Sequence, residues 1–427
     1  MIGMSPRRSG GVGVGWRSVL GVVVMAGGAA LAQGAGFQTG EFYTANTAQA
    51  LAGATLEDSA GVLGVMPSAM VRLEEGAHVL GGASRQDATF TYALEPHGES
   101  GSTTQKPVVG PFAYGLYNAR NWAVGTGVYF PFAVDIRYKR HWVGRHLLTR
   151  DRMVVRNQAV MGAFRLNEQV SWGWGVNYLS GWMRRNQQLV MNSDVEYPVV
   201  LEGVGHSLSQ TLSGLYDTGT LAAGFTYRSG TTLEAKGSRH GDKIQPGGIP
   251  GFVREQGLTV FIPLPYEIEM AVSYRNRLDD PDWMAEVNLQ RSGWSRFKEL
   301  RMVFDTGTPA SEQVTPKNWK DTTGVRLGGN YAFARSINST HRIRGGVSAE
   351  QSPIPPETLD PAVPDGRGRL SVALGYGVEI GALQLEAGIL RSTFLEAKAT
   401  PPAGSSLPKA RYKGGVSVAS FSAAYRW

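Results

Sequence analysis

The sequence predicts an all-β fold, a transmembrane antiparallel β-barrel of about 14 strands whose lumen is plugged by an N-terminal hatch. Large apolar residues alternate with small or polar residues along most of the chain, which indicates strands. Glycine is frequent, at 56 of 427 residues, about twice its ordinary share. Only 18% of the residues are charged, yet after residue 35 no stretch is apolar for the ~18 residues that a membrane helix needs. A glycine-rich soluble β protein is the remaining alternative.

Residues 1–32 have the three parts of a secretory signal peptide. Arginines supply the positive charge, a short apolar stretch begins at Val19, and Ala30-Leu31-Ala32 has the small-x-small form of a cleavage site. Cleavage there would leave Gln33 as the first mature residue. A membrane anchor is the alternative, but the apolar stretch is short for one. The whole chain carries a net charge of only +7, which gives no reason to expect a nucleic-acid partner.

The period-two pattern begins at about residue 76 and recurs to the end of the chain. In 370–380, 170–178 and 267–275, large apolar residues alternate with Gly, Ala, Ser, Asn and a few charged residues. A soluble sandwich would carry many Lys and Glu on this second face. The apolar face ends in Trp, Tyr and Phe, as the lipid-facing band of a barrel does, and the second face then lines the lumen. We therefore expect residues 76–427 to form a membrane barrel.

The turns and the last strand agree with a barrel. We expect strands at about 76–92, 110–119, 121–137, 153–166, 169–184, 205–216, 219–235, 258–278 (its front part as loop), 282–304, 318–334, 340–351, 368–380, 382–398 and 412–427. Short turns fit the periplasmic side, and longer polar connections, such as 186–206 and 352–368, fit the extracellular side. The chain ends in alternating aromatic residues, so the last strand is expected to close against the first and to be recognised by the barrel-assembly machinery.

Residues 33–75 break the alternation. Residues 41–54 are rich in Ala and more helical than extended. A segment of this length needs a place, either in the lumen as a plug or outside as a periplasmic tail. A tail would leave Phe37, Phe42 and Leu51 exposed to water. We therefore expect these residues to form a hatch inside the barrel.

These motifs carry a resemblance to a known family. The stretch Gly36-Phe37-Gln38-Thr39-Gly40-Glu41-Phe42 and the run Asp58-Ser59-Ala60-Gly61 resemble the hatch of the FadL-like outer-membrane long-chain fatty acid transporters, a family that includes aromatic-hydrocarbon channels. Further runs, Gly293–Leu300 and Asn318–Thr322, resemble the family in the expected order. The chain departs from it at Met66-Pro67, where the family usually has Asn-Pro. The hatch positions singled out are Gly36, Asp58 and Pro67.

The resemblance implies passive uptake of hydrophobic or amphipathic molecules such as long-chain fatty acids. Extracellular loops would capture the ligand, a pocket near the mature N-terminus would hold it, and a gap at a kinked third strand would release it sideways. The residues support one part independently. Pro131 lies inside an alternating strand, and proline cannot donate to a ladder, so it marks an interruption in a barrel without edges. A bulge without function is the alternative.

The candidate ligand contacts are an apolar groove and a few charges, because a carboxylate head needs a cation. Phe37 and Phe42 are expected to touch the ligand, and apolar residues in 186–206 and 244–265 are expected to form a capture groove or to pack loop against loop. The charged candidates, from strand parity or from the resemblance, are Arg156, Arg275, Arg326, Arg344, Glu350 and Arg367. The alternative is that these charges pair across the lumen and anchor the hatch.

Catalysis has little support in the sequence. The chain has no Cys, the seven His are scattered without metal-ligand spacing, and no Ser–His pair stands out. We expect no enzyme activity, no metal and no cofactor. We expect a monomer in the outer membrane, surrounded by outer-membrane lipid, with a hydrophobic small molecule as its partner. The alternatives are a structural or adhesive barrel with a static plug, and a general porin.

Overall fold

The barrel is one closed antiparallel sheet, as the sequence predicts. The computed structural model describes residues 36–40, 42–56, 59–95, 98–192, 195–241, 255–277, 282–305 and 311–427. Within these ranges the fourteen strands are β1 (Gly76–Leu94), β2 (Ser100–Ser102 and Val108–Asn118), β3 (Trp122–Arg137), β4 (Arg150–Arg165), β5 (Val170–Asn192), β6 (Val195–Asp217), β7 (Leu221–Arg228 and Thr231–Gly241), β8 (Glu255–Leu264 and Glu267–Arg275), β9 (Trp283–Ser292 and Glu299–Phe304), β10 (Ser311–Pro316 and Thr322–Arg335), β11 (Ser339–Gln351), β12 (Gly368–Ile380), β13 (Leu383–Ala399) and β14 (Ala410–Arg426).

Closure is made by the first and last strands. β1 pairs with β14 from His78–Arg426 to Leu94–Ala410, and its other edge pairs with β2. The predicted contact between the C-terminal strand and the first strand is thereby confirmed. Because the sheet closes on itself, the main-chain groups of these two strands are paired rather than exposed at an edge.

Two faces of the wall differ as the alternation predicts. Residues of one parity are buried and those of the other are exposed, for example in β5 and β8. The exposed face carries aromatic rings near the end of the barrel where the turns are short, namely Tyr117, Trp122, Phe164, Trp172, Tyr216, Tyr274, Trp283, Tyr331, Tyr425 and Trp427. Such a girdle is typical of a barrel wall at a membrane interface.

The chain before β1 packs against the inward-facing side chains. We call its described residues, 36–40, 42–56 and 59–73, the N-terminal segment. It contains α1 (Thr44–Ala48), α2 (Val62–Val65) and the 3-10 helix Pro67–Arg72, and nearly all of it is buried. The helix expected over 41–54 is shorter than expected, because the backbone turns left-handed at Ala50 and Leu51. No helix among the described residues has the length and apolar character needed to cross a membrane.

Two sequence expectations are wrong, and two others concern residues outside those that the structure describes. Residues 186–206, expected as a loop, mostly extend the β5–β6 hairpin, and Val199, Val200 and Leu201 are buried there. The front of 258–278 is strand, not loop. The apolar residues of 186–206 are paired across the β5–β6 hairpin and do not form a loop. The sequence pattern did not reveal that both strands continue this far. The proposed signal peptide and residues 242–254 lie outside the described residues.

Glycines on the inward parity leave room for the N-terminal segment. A Cβ added to Gly173 would lie 2.5 Å from the Ser68 nitrogen, and one added to Gly346 would lie 2.3 Å from the Gln49 carbonyl oxygen. Both distances are too short for real atoms. At these two positions the absence of a side chain lets the N-terminal segment approach the inner face of the wall. Gly81, by contrast, faces outward into open space.

We expect Gly346→Ala to destabilise the protein by about 1–3 kcal/mol, because the new methyl group collides with a backbone carbonyl that cannot rotate away. The free energy of unfolding in lipid vesicles, measured with urea, would show this. The matched control is Gly81→Ala, whose Cβ meets nothing within 4 Å. Equal stability of the two variants would contradict the close packing of the N-terminal segment.

Candidate ligand pocket and the strand interruption beside it

The wall is interrupted at β3. β2 and β3 pair only from Ala113–Val128 to Asn118–Ala123. Residues 108–112 of β2 therefore pair with β1 alone. The β3–β4 ladder shifts register between Tyr129 and Phe132. Pro131 lies within this shift, at the point where its missing N–H would break a ladder. Its part in a lateral opening stays a prediction.

The N-terminal segment pairs with β3 at the interruption. The Thr39 N–H donates to the Pro131 carbonyl at 2.7 Å, and the Ala133 N–H donates to the Phe37 carbonyl at 2.9 Å. The Thr39 hydroxyl also donates to the Phe130 carbonyl. Main-chain groups that would otherwise be buried without partners are thereby satisfied.

A cage of aromatic rings surrounds Phe37. The Phe37 ring centroid lies 4.8 Å from that of Trp294, 5.6 Å from Trp319, 6.0 Å from Phe297 and 6.1 Å from Phe132. All five side chains are buried. Trp294 and Trp319 stand in the connections that interrupt β9 and β10. Both Trp residues belong to runs that resemble the family, Gly293–Leu300 and Asn318–Thr322, but the sequence alone did not predict that their rings are in contact.

A small cavity adjoins this cage. It measures about 20 Å³ and is lined by Gly36, Phe90, Val134, Pro364, Asp365 and Phe394, among others. Its volume is that of about one water molecule. The Gly36 N–H donates to Asp365 Oδ2 at 3.1 Å. The cavity and the cage therefore meet at residues 36–37.

Asp365 is one of two buried carboxylates that line the cavity, and Asp135 is the other. Asp365 lies in the β11–β12 connection, outside the membrane-spanning strands, and is 3% exposed. Burial raises its pKa to about 6, and the charge of Arg369, the Gly36 N–H and the Ser352 hydroxyl oppose that rise. Oδ1 has no hydrogen-bond partner in the described part of the chain. Such an oxygen can accept a bond from a ligand.

Two predicted arginines bind the N-terminal segment. Arg275 donates to the Thr55 carbonyl at 2.7 Å and pairs with Asp217 at 3.0 Å. Arg326 donates to the Leu51 carbonyl at 3.2 Å and lies 3.5 Å from Glu269. Their inward parity is as expected. Their contacts are those of the alternative, in which the charges anchor the segment.

The next predicted charges are paired with other residues of the wall. Arg344 makes a bidentate pair with Glu386, at 3.0 and 2.8 Å. Glu350 accepts from Arg369 at 2.8 Å. Arg367, which the family resemblance implied, is exposed, whereas Arg369, two positions further on, is buried. A ligand contact at Arg367 stays a prediction.

Arg156 lies on the other face of the wall from the one expected. It alternates with Val155 and Asn157, which are buried, and these two pair with Phe132 and Tyr129 on either side of the register shift. Arg156 thus stands opposite the interrupted part of β3, on the outward parity. The burial of β4 alternates without a break from Arg150 to Phe164, so the parity of this strand itself places Arg156 outward.

Glu286 is an anchor that the sequence did not single out. Its carboxylate accepts from the main-chain N–H groups of Gly53, Ala54 and Thr55 at 2.7–2.8 Å, and from the Thr55 hydroxyl. Three successive N–H groups around one anion form a nest. The sequence could have indicated this anchor, because Glu286 has the inward parity within 283–290 and a buried carboxylate needs a partner.

Arg228 is a second residue that the sequence missed, and it links the interruption to α2. It donates to the carbonyls of Gly64 and Val65 at 2.6 and 2.9 Å and pairs with Glu267 at 3.1 Å. Its guanidinium lies 5.1 Å from the centre of the Phe42 ring. The Gln38 amide also donates to Glu267. Phe42 is thus buried against a cation.

The three hatch positions singled out from the sequence lie in different surroundings or outside the described residues. Gly36 has a left-handed φ of +66° and contacts the cavity. Pro67 is the first residue of its 3-10 helix, where a missing N–H costs nothing. Asp58 lies outside the described residues. Among the described residues no three His, Asp or Glu side chains converge on a point where a metal ion could bind.

The sequence matches one family over most of its length. The family model described as "Outer membrane protein transport protein (OMPP1/FadL/TodX)" matches residues 25–426. The long-chain fatty acid transport protein of Escherichia coli (strain K12) is 23% identical over 378 residues, which are 78% of this chain and 81% of that protein.

Solved structures share the fold. A Pseudomonas aeruginosa FadL homologue superimposes with a TM-score of 0.80 at 17% identity, over 92% of this chain and 99% of the other. The toluene transporter TodX of P. putida gives a TM-score of 0.71 at 13% identity, over 90% and 98% of the two chains. The Ralstonia pickettii toluene transporter TbuX gives 0.68 at 15% identity, over 90% and 98%.

Proposed function

Because the chain belongs to the OMPP1/FadL/TodX family of outer membrane transport proteins, we propose that it is a passive outer-membrane uptake channel for hydrophobic or amphipathic molecules such as long-chain fatty acids. The observation that carries the proposal is the aromatic cage around Phe37, next to the interruption of β3. An apolar cage beside a break in the wall suits an apolar ligand that leaves into lipid. The similar proteins are named transporters and not enzymes.

The proposed route runs from the long connections to the cage and then sideways. An apolar cluster supports the last step, since it contains Phe90 and Phe394 of the cavity, Val108 of β2 and Val154 of β4. The two valines belong to the strands on either side of β3. An apolar surface therefore extends from the cavity to the interrupted part of the wall.

The N-terminal segment serves as the hatch of this proposal. Phe37 fills the cage, so a ligand takes that place only when residues 36–39 withdraw. Their hydrogen bonds with β3 and Asp365 are few, whereas residues 51–55 are held by Glu286, Arg275 and Arg326. We therefore assign movement to the first part of the segment and a fixed position to the second.

A static structural or adhesive barrel is the second candidate. The buried ion pairs and the carboxylate nest that hold residues 51–55 favour it, because they resist movement. A general porin would need an open lumen, and the buried N-terminal segment argues against one. The static barrel predicts no uptake defect when the interruption is altered.

The remaining proposals concern biogenesis. We propose that residues 1–32 are removed on export, that the barrel-assembly machinery recognises β14, and that the chain works as a monomer in the outer membrane. Alternating outward aromatic residues at the end of β14, Phe421 and Tyr425, support recognition of that strand.

We expect Pro131→Val to lower uptake severalfold, because valine restores the N–H that lets β3 pair without interruption. The measurement is uptake of a labelled fatty acid and of a labelled aromatic hydrocarbon by cells that have no transporter of their own for either. Pro111→Val in β2, whose proline faces outward, is the matched control. Unchanged uptake by Pro131→Val, at equal protein levels in the membrane, would favour the static barrel.

A further inference from the structure

We propose that Asp365 selects ligands by their polar group. The pocket prefers a ligand with an uncharged hydroxyl, such as a long-chain alcohol or an alkylphenol, over a ligand with an ionised carboxylate. The inference rests on the proposed uptake function and names the chemical class of its ligand. It assigns Asp365 as the hydrogen-bond acceptor for that hydroxyl.

Asp365 has an unused acceptor oxygen in an apolar place. Asp365 is 3% exposed, and its Oδ2 accepts from Gly36 while Oδ1 has no partner within the described residues. Side chains around it include Phe90, Val134 and Phe394. A buried oxygen without a bond costs free energy, and a ligand that donates one hydrogen bond removes that cost.

A hydrogen-bond donor, Arg369, lies close to this acceptor. Arg369 exerts the strongest favourable charge effect on the Asp365 carboxylate, and its Nη1 has no hydrogen-bond partner in the described ranges. Its Nη2 is used by Glu350. A hydroxyl both donates and accepts, so it can give its hydrogen to Asp365 and accept from Arg369. An alkane can do neither.

The charges around the cavity disfavour an anionic ligand. Arg369 is already neutralised by Glu350, and Asp365 adds a further negative charge when ionised. The other carboxylate lining the cavity, Asp135, is paired with Arg150 at 2.8 Å and lies 3.6 Å from Arg152. A fatty acid anion would place a second unpaired negative charge beside Asp365, and like charges in a buried site repel strongly.

The direction of the pH effect follows from the raised pKa. Above about 6 Asp365 is ionised, accepts from a hydroxyl and repels a carboxylate. As the pH falls through that value, the carboxyl becomes neutral and the repulsion ends. Binding of a carboxylate ligand is therefore expected to strengthen towards pH 5.

The test compares two ligands of equal chain length, 1-dodecanol and dodecanoate, on the full-length mature protein in detergent. Binding is followed by tryptophan fluorescence at pH 8 and at pH 5. For the wild type at pH 8 we expect dodecanol to bind about tenfold more tightly than dodecanoate. Asp365→Leu should lose about tenfold for dodecanol, and Asp365→Asn should gain about tenfold for dodecanoate at pH 8.

Two controls separate the role of Asp365 from other effects. Asp87→Asn removes an exposed carboxylate from the outward face of β1 and should leave both affinities unchanged. Dodecanoate itself titrates, so its pH response in Asp365→Asn gives the ligand's own part, and only the larger response of the wild type belongs to Asp365. Thermal unfolding of each variant shows whether it is folded.

The outcomes are distinct. A wild type that binds dodecanoate at least as tightly as dodecanol at pH 8 overturns the inference, and so does an Asp365→Asn variant with the same preference as the wild type. In both cases ligands still bind, and the proposed uptake function stands. If neither ligand binds to the folded wild type, the proposed function itself fails and the inference fails with it.

Discussion

Glu286→Ala is expected to release residues 53–55 from β9 and to raise the ion conductance of the protein in planar bilayers. The side chain is buried and accepts from three main-chain N–H groups and one hydroxyl of the N-terminal segment. Its removal leaves these donors without an acceptor in a place that water does not reach. Each buried donor left unpaired costs about 1–3 kcal/mol, so the total loss should be at least 3 kcal/mol.

Two variants serve as controls for this experiment. Glu286→Gln keeps an acceptor oxygen and the shape of the side chain, and should fall between the wild type and the alanine variant. Glu234→Gln removes an exposed carboxylate of the barrel and should change neither conductance nor stability. A Glu286→Ala channel as closed and as stable as the wild type would show that the nest does not hold the segment.

Phe37→Ala is expected to empty the aromatic cage and to create a binding site for a small aromatic molecule. The ring contacts Trp294, Trp319 and two phenylalanines at centroid distances of 4.8–6.1 Å. Truncating a buried Phe costs about 3–5 kcal/mol, and a dry apolar cavity of that size can take up benzene. Toluene should therefore bind the variant and restore part of its lost stability.

The measurement is the unfolding free energy with and without toluene, together with quenching of tryptophan fluorescence. Phe421→Ala is the matched control, since this ring faces outward and is 56% exposed. Toluene should stabilise the Phe37 variant alone. If toluene stabilises the wild type, Phe37→Ala and Phe421→Ala equally, the cage is not the site at which an aromatic molecule replaces Phe37.

Regular alternation explains what the sequence could predict. Within a strand, parity follows from counting, so Arg275, Arg326 and Arg344 were placed correctly on the inward face. Arg156 was assigned to the wrong face, although its own strand, β4, alternates regularly and places it outward. Arg367 was taken from the family resemblance and not from counting, and it lies one residue before β12 begins.

Contacts between distant parts of the chain explain what the sequence could not predict. Glu286 and Thr55 are 231 residues apart, and Arg228 and Gly64 are 164 residues apart. No local pattern relates such residues, because a closed barrel can bring inward-facing side chains from distant positions in the sequence against the N-terminal segment. The distinction between a ligand-binding arginine and an anchoring one is likewise set by three-dimensional neighbours.

The pairing of residues 37–39 with β3 has a consequence for the energetics of transport. The Pro131 carbonyl and the Ala133 N–H are satisfied by a segment that is not part of the wall. In the proposed uptake cycle, withdrawal of that segment would leave these two main-chain groups without partners in a poorly hydrated place, at a cost of about 1–3 kcal/mol each. This cost would act as a restoring force. The segment would then return spontaneously after a molecule has passed, and the proposed cycle would need no external source of energy to reset it.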